Sequence, residues 1–498
     1  MLSLVFLCSR RLVSDHGSLR RSLPLIPEEL YPILFRAAFL DEKTLVLQDL
    51  VQRWPLSVLS LQRLVAGDGG HHHIQERASK LCVQSVILGV MAYLREKLAR
   101  QREGRPLRKQ QLRLLDMTGG HDDGLERSPD SVSLWSRTVT LAKSCIDIAR
   151  GQCEETARGR KEEEEAPAPG SVCVEVRVDL FVNSTSYSVL REALLVGAHG
   201  PLRLQCRDLR AEELSLRSTA ELLELLNPAT LRQIDLRFNN LGLPGLNALL
   251  PYMTRFSHLQ SLKLPYSNID VRRLSPDAEE AMQNVASQIS QMPELKELNL
   301  GSSRLSGRLQ QLLGGRRTPL ESLELAFCSL LPADLHYLSR SVHVSSLKKL
   351  DLSGNNLSGV LLQPFLQLVA SASSVLLYLD VMECKLSDSA LALVTPVLRR
   401  CCYLRYLGLF CNPLSAQGLR TLLRSCLHLS DLQLVIYPLP AECYLGSAPY
   451  SAPDSDIIHN KAAEIEAEVQ EALVQAQRTD MVWTADMVMY RPPEYLSS

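Results

Sequence analysis

The sequence lacks any apolar run near the roughly 18 residues that a membrane-spanning helix needs, so no spanning segment is expected. It lacks an excess of either charge: Lys+Arg total 54 and Asp+Glu 55, leaving a formal charge of −1. A generic polyanion binder needs a basic surplus or a large basic patch, and neither is present, so nucleic acid and membrane are not expected partners. The thirteen cysteines include no Cys-x-x-Cys pair with histidines at zinc spacing, and the adjacent Cys401–Cys402 suits neither a zinc site nor a local disulfide. Reduced, mostly buried thiols in a cytoplasmic protein are the simplest reading. The first residues, Met1 to Arg11, lack the basic leading segment and small-residue cleavage site of a secretion signal. Catalytic signatures are missing too. There is no Gly-x-x-x-x-Gly-Lys-Ser/Thr phosphate loop, no Gly-x-Ser-x-Gly elbow and no His-Glu-x-x-His helix, so neither an enzyme nor a cofactor is expected.

What is present is a repeat. With 498 residues, 46% hydrophobic and 22% charged, the chain is globular and long enough for two or three domains or one repeat array. The pattern Leu-x-x-Leu-x-Leu-x-x-(Asn/Cys)-x-Leu recurs at starts 231, 259, 295, 320, 347, 376, 404 and 429. The copies with Leu347, Leu350, Leu352, Asn355 and Leu357, and with Leu404, Leu407, Leu409, Asn412 and Leu414, match fully. One spacing, from 259 to 295, is long; the polar stretch Ser275–Asn284 suits an extra loop there.

Leu-x-x-Leu-x-Leu is a short strand with one apolar face, which a single repeat cannot bury alone. The Asn or Cys falls where the chain turns away and can bond backbone groups otherwise left unpaired. Apolar residues then return at helical spacing, as in Leu361, Phe365, Leu366 and Val369, backing each strand with a helix. The expected fold is an α/β leucine-rich-repeat solenoid, a horseshoe with a concave parallel sheet and outer helices. Worn copies extend it upstream: Leu204, Cys206 and Leu209; the alternating Val174, Val176, Val178 and Leu180; and Leu112, Leu115 and Met117.

The expected organisation is a helical N-terminal region over 1–100, a worn first repeat over 101–150, a disordered acidic loop over 151–170 and degenerate repeats over 171–230. The main repeats follow over 231–453, and a C-terminal cap over 454–498, whose stripe Ile457, Ile458, Ala462, Ile465, Val469 and Leu473 reads as an amphipathic helix. Two clusters invite a functional reading and fit solvated loops better: three histidines within Gly67–His73, and His121 beside Asp122 and Asp123.

The array offers a surface. The residue between the second and third leucines points away from the core, giving the column Asp235, Lys263, Asn299, Glu324, Asp351, Asp380, Gly408 and Gln433. One or two positions after the third leucine lie Phe238, Tyr266, Phe327 and Phe410. An acidic stripe edged by aromatics is a candidate face for docking a protein. At the N-terminus, Leu4, Cys8 and Leu12 would share one face of a helix. Val5, Phe6 and Leu7 also suit a strand, and the residues alone favour a capping strand.

Several blocks resemble the PRAME family of leucine-rich-repeat proteins. They are Leu23-Pro-Leu-Ile-Pro-Glu-Glu-Leu-Tyr-Pro-Ile-Leu-Phe, Trp54-Pro, Leu115-Asp-Met-Thr-Gly, Val174-Glu-Val-Arg-Val-Asp-Leu-Phe, Leu309-Gln-Gln-Leu-Leu and Leu404-Arg-Tyr-Leu-Gly-Leu-Phe-Cys-Asn-Pro-Leu-Ser. The resemblance implies a non-enzymatic horseshoe. It also implies substrate receptors of cullin-2 ubiquitin ligases, with Leu4, Cys8 and Leu12 where an elongin C box is expected and Ile26, Pro27, Leu30 and Leu34 where a cullin box follows. A role restraining innate-immune NF-kappa-B signalling by binding the inhibitor-of-kappa-B kinase is implied in the same way.

Overall fold

The computed structural model describes residues 3–66, 79–103, 111–119, 133–159, 172–272, 275–445 and 457–487. The Gly67–His73 segment and the His121–Asp123 cluster lie outside them. The chain forms two compact units, Met1–Leu231 and Arg232–Ser498.

Among its described residues the first unit carries four parallel strands in chain order: β1 (Val58–Ser60), β2 (Leu114–Asp116), β3 (Val174–Val182) and β4 (Leu202–Ala211). The sheet therefore begins one strand earlier than Leu112–Met117 suggests, inside the region expected to be helical. Val58-Leu59-Ser60 is too short to register as a periodic pattern. β3 alternates as expected: Val174, Val176 and Val178 are buried while Glu175 and Arg177 are exposed. Helices back this sheet, among them Lys80–Arg102 and Leu134–Gly159. The second of these corrects the loop expected over 151–170, since residues 151–159 continue the helix; Gln152, Glu154, Glu155, Ala157 and Arg158 are good helix formers. The remainder of that stretch lies outside the described residues.

The N-terminus is a helix, Leu4–Val13, which corrects the capping-strand reading of Val5, Phe6 and Leu7. Ser3 caps it by accepting a hydrogen bond from the Phe6 N–H (3.2 Å). Phe6, Ser9 and Val13, spaced three and four apart, turn inward. The Arg10 guanidinium clasps Asp41 (2.6–3.1 Å), and Arg36 lies over the Phe6 ring. Cap, buried face and clasp together outweigh the strand propensity of three residues.

Among the described residues the second unit is a run of nine three-residue strands, each parallel to the next and paired in chain order. They are β5 (Gln233–Asp235), β6 (Ser261–Lys263), β7 (Glu297–Asn299), β8 (Ser322–Glu324), β9 (Lys349–Asp351), β10 (Tyr378–Asp380), β11 (Tyr406–Gly408), β12 (Leu434–Ile436) and β13 (Val482–Thr484). The middle residues, Ile234, Leu262, Leu298, Leu323, Leu350, Leu379, Leu407, Val435 and Trp483, form one buried column. Each is worth about 1.5–3 kcal/mol of burial.

The turn asparagines tie neighbouring repeats together. Asn412 donates to the carbonyls of Val381 (2.9 Å) and Leu409 (2.8 Å) and accepts from the N–H groups of Cys384 (3.2 Å) and Leu386 (2.9 Å). Asn355 does the same between Leu325, Leu352 and Leu330. Where cysteine replaces asparagine, Cys328 and Cys384 point their thiols at the carbonyls of Leu300 and Leu352.

Three expectations need correction. The weak copy at Leu429 is out of register by three: Gly408 pairs with Ile436, so the repeat is Leu432, Val435 and Tyr437, which preserves the 28-residue spacing from Leu404. Gln433 therefore leaves the outward column and Ile436 takes its place. The polar stretch at Ser275–Asn284 is not a loop but opens the helix Pro276–Ser290. Ser275 caps it, Pro276 starts it, Asp277 and Glu279 sit in its first turn, and Met282, Val285 and Ile289 face inward. Its end is closed from the next repeat: the Arg316 guanidinium donates to the carbonyls of Ile289 (2.6 Å), Met292 (3.3 Å) and Leu295 (3.0 Å). Finally, the helix His459–Gln475 does not end the array, because β13 follows it and pairs with β12. Val469 and Leu473 of its stripe are buried, and a cavity of about 390 Å³ separates it from the helix Ala416–Cys426. Arg478, after the helix of this second long repeat, closes not that repeat but the 28-residue one before it, donating to the carbonyls of Leu427, Leu429 and Leu432 beyond the helix Ala416–Cys426 (2.9–3.0 Å).

Candidate protein-docking surfaces

Strand periodicity turns the first and third residue of each strand away from the helices. The outward column is not a solvated acidic stripe. Asp235 and Lys263 are buried; Glu324, Asp351 and Asp380 are half-buried. Asp235 is held by Arg237 two residues on. Glu324 takes Lys349 (2.7 Å) and the Asn299 amide (2.5 Å). The residues missed by sequence reasoning are those of the first strand position, Glu297 and Lys349. They face the same way as Asn299 and Asp351, and counting alternation outward from Leu298 and Leu350 would have found them.

Asp351 and Asp380 are register partners on adjacent strands, bridged by Ser353. The Ser353 N–H donates to Asp351 (2.9 Å) and its hydroxyl to Asp380 (3.0 Å), which also receives the Tyr406 hydroxyl (3.2 Å). Burial, the neighbouring Asp380 and Glu324 push the Asp351 carboxyl up to about 7; burial pushes Asp380 up as well. Burial likewise raises the Glu297 carboxyl, opposed by Lys263.

The aromatic edge is real but not uniform. Phe238, Tyr266 and Phe327 occupy the same turn position, two residues after the third leucine, with φ between 55° and 59°. Ser302, Gly354, Glu383 and Cys411 occupy it in four other repeats, also at positive φ. Phe238, Tyr266 and Phe327 are 49%, 50% and 45% exposed, and Phe238 stacks on Tyr266 with centroids 4.7 Å apart. Phe410 stands one residue earlier in its turn and is half-buried, packing against Tyr378, Tyr406 and Ile436 on the outward face of the sheet.

At the other end of the chain, Leu4 and Leu12 are 76% and 51% exposed and Cys8 is exposed, on the side of the helix opposite Phe6 and Val13. Of the cullin-type residues, Pro27 is exposed and Ile26 and Leu30 are half-buried. Leu34 is withdrawn into the core of the first unit, because the helix Tyr31–Leu40 turns Leu34 and Phe35 inward together. The thiols give no reactive site among the buried cysteines: burial pushes Cys82 up to about 11 and Cys401 up to about 12. Among the described residues no three His, Cys, Asp or Glu side chains are grouped to hold a metal, and no helix is long and apolar enough to cross a membrane.

Helix-backed three-residue strands locked by asparagine turns define a leucine-rich-repeat protein, a class that works through its surfaces. Residues 3–71 match the PRAME N-terminal domain and 175–489 the PRAME C-terminal domain; the chain belongs to the PRAME family. It is 62% identical over 509 residues to leucine-rich repeat-containing protein 14 of Xenopus laevis, and 44% identical over 504 residues to the Homo sapiens protein of that name, covering all of each chain. PRAME family member 20 of Homo sapiens is 28% identical, covering 89% of this chain and 86% of that one. Among solved structures, the leucine-rich-repeat protein LegL7 from Legionella pneumophila is similar at 17% identity and a TM-score of 0.35, covering 61% of this chain and 92% of that one.

Proposed function

We propose that this protein is a cytoplasmic, non-enzymatic adaptor whose second unit holds a regulatory protein on its sheet face and turn edge. The observation that carries this reading is the repeated placement of Phe238, Tyr266 and Phe327 at one turn position, each about half-exposed. Large rings kept in water at a left-handed backbone position are poorly explained by stability and supply the contact area that interfaces use. Family membership and the blocks quoted above favour the inhibitor-of-kappa-B kinase as the protein held. Occupying it blocks assembly of the kinase complex and restrains innate-immune NF-kappa-B signalling. The test is co-purification of the kinase with wild type and with Phe238→Ala/Tyr266→Ala/Phe327→Ala. Loss of the kinase with an unchanged melting temperature supports the reading, and undiminished capture overturns it.

A second reading rests on the helix Leu4–Val13. It presents Leu4, Cys8 and Leu12 outward, as a substrate-recognition subunit of a cullin-2 elongin B/C ligase would. Withdrawal of Leu34 weakens the adjoining cullin box. Leu4→Asp/Cys8→Asp separates the two readings: elongin C is lost under the second, and kinase binding is untouched under the first.

A further inference from the structure

We infer that the partner docks on the second unit by inserting an arginine side chain between Asp351 and Asp380, against the ring of Phe327; this rests on the docking reading above. Adjacent strands lie about 4.8 Å apart, so the two carboxylates present acceptors at a separation that a planar guanidinium fork bridges. A lysine ammonium is a compact, strongly hydrated point charge and fits this span less well.

The cluster is short of positive charge and of donors. Glu297, Glu324, Asp351 and Asp380 share the face with Lys263 and Lys349, and Lys349 is already bound to Glu324. Among the described residues Asp351 takes hydrogen bonds from Ser353 alone, and no lysine or arginine pairs with it or with Asp380. In the adjoining row Glu297, fully buried, has one carboxylate oxygen without any donor. The exposed ring of Phe327 completes the seat. Its N–H donates to the Ser353 carbonyl (2.7 Å), and the ring covers Gly354 so closely that a Cβ there would fall within it. Ring, bridging serine and carboxylates are therefore contiguous, the arrangement in which an arginine stem stacks and its head pairs.

A bound guanidinium requires both carboxylates ionised, so docking releases a proton and tightens as pH rises through about 7. The groups facing the pair are Glu324, Lys349, Glu297 and Lys263 along the rows and Tyr378 and Tyr406 beside them.

The experiment uses the full-length chain and fluorescein-labelled hexa-arginine and hexa-lysine peptides, read by anisotropy between pH 6 and 8. Binding to other acids is common to all chains and cancels in the ratios. Hexa-arginine is expected to bind wild type about tenfold more tightly than Asp351→Asn/Asp380→Asn at pH 8, with hexa-lysine changing little. Phe327→Ala and Gly354→Ala should each weaken hexa-arginine several-fold, the second by displacing the ring without removing charge. Equal hexa-arginine binding by wild type and the double variant overturns the site. A kinase that fails to bind wild type, with the peptide ratios intact, overturns only the partner named under the docking reading. The double variant removes like charges and should melt no lower than wild type, so loss of fold does not confound the result.

Discussion

Asp351→Asn should stabilise the protein, and increasingly so as pH rises. The unfolded carboxyl titrates near 3.8, whereas the folded one is pushed up to about 7 by burial, Asp380 and Glu324. Between those values the folded chain keeps a proton that the unfolded chain has released, so stability declines as pH climbs; above about 7 the whole cost is present. A gap of about three pKa units at 1.36 kcal/mol each sets an upper limit of about 4 kcal/mol. Asparagine keeps an oxygen to accept the Ser353 N–H and removes the charge. Because Asp380 shares part of the burden, a gain of about 2 kcal/mol at pH 8 over that at pH 5 is expected. For a unit of this size that is roughly 4–8 °C in melting temperature. Calorimetric scans of wild type, Asp351→Asn and the exposed control Glu383→Gln from pH 5 to 8 provide the measurement. A gain that is flat with pH, or a destabilised Asp351→Asn, would refute the like-charge argument; a matching gain in Glu383→Gln would reduce it to general charge repulsion.

Three other perturbations probe separate features. Burial and nearby Arg316 push the His343 imidazole down to about 4, so the unfolded chain takes a proton near 6.5 that the folded chain refuses. Stability should then fall by up to about 3 kcal/mol as pH drops from 6.5 to 4, and denaturant midpoints of His343→Gln should show a shallower acid limb. Asn412→Ala strips two carbonyls and two N–H groups of their partners and should cost about 3 kcal/mol in urea unfolding, against little for the exposed Asn356→Ala. Leu4→Asp/Leu12→Asp changes exposed positions only and should leave the melting temperature within about 1 °C; a larger fall would mean the helix face is covered.

The array was legible because its strand leucines must all face inward at fixed spacing, and Leu350, Leu379 and Leu407 do so in matched register. Register failed at Leu429 because a Leu-x-x-Leu pair also occurs three residues ahead of the true one, and only pairing with Gly408 decides between them. β1 and β13 escaped notice because three residues alone carry no period. At the candidate site the turn aromatics were visible from their place in the repeat. The pairing of the carboxylates was not, since Ser353, Lys349 and Arg237 lie off the counted column, and Lys349 and the Ser353 hydroxyl meet it only across strands. The N-terminal helix was misread because Val5-Phe6-Leu7 speaks locally for a strand, while Ser3 and the Arg10–Asp41 clasp act from outside that window.

Arg316 and Arg478 show how one layer of a solenoid can seal the layer before it. The last carbonyls of a helix lack donors of their own, and a guanidinium arriving from the following layer supplies them, once behind the long helix Pro276–Ser290 and once behind the ordinary helix Ala416–Cys426. The cork therefore belongs to the neighbour and not to the length of the layer it stops. Removing either cation alone would leave the preceding layer open at its end.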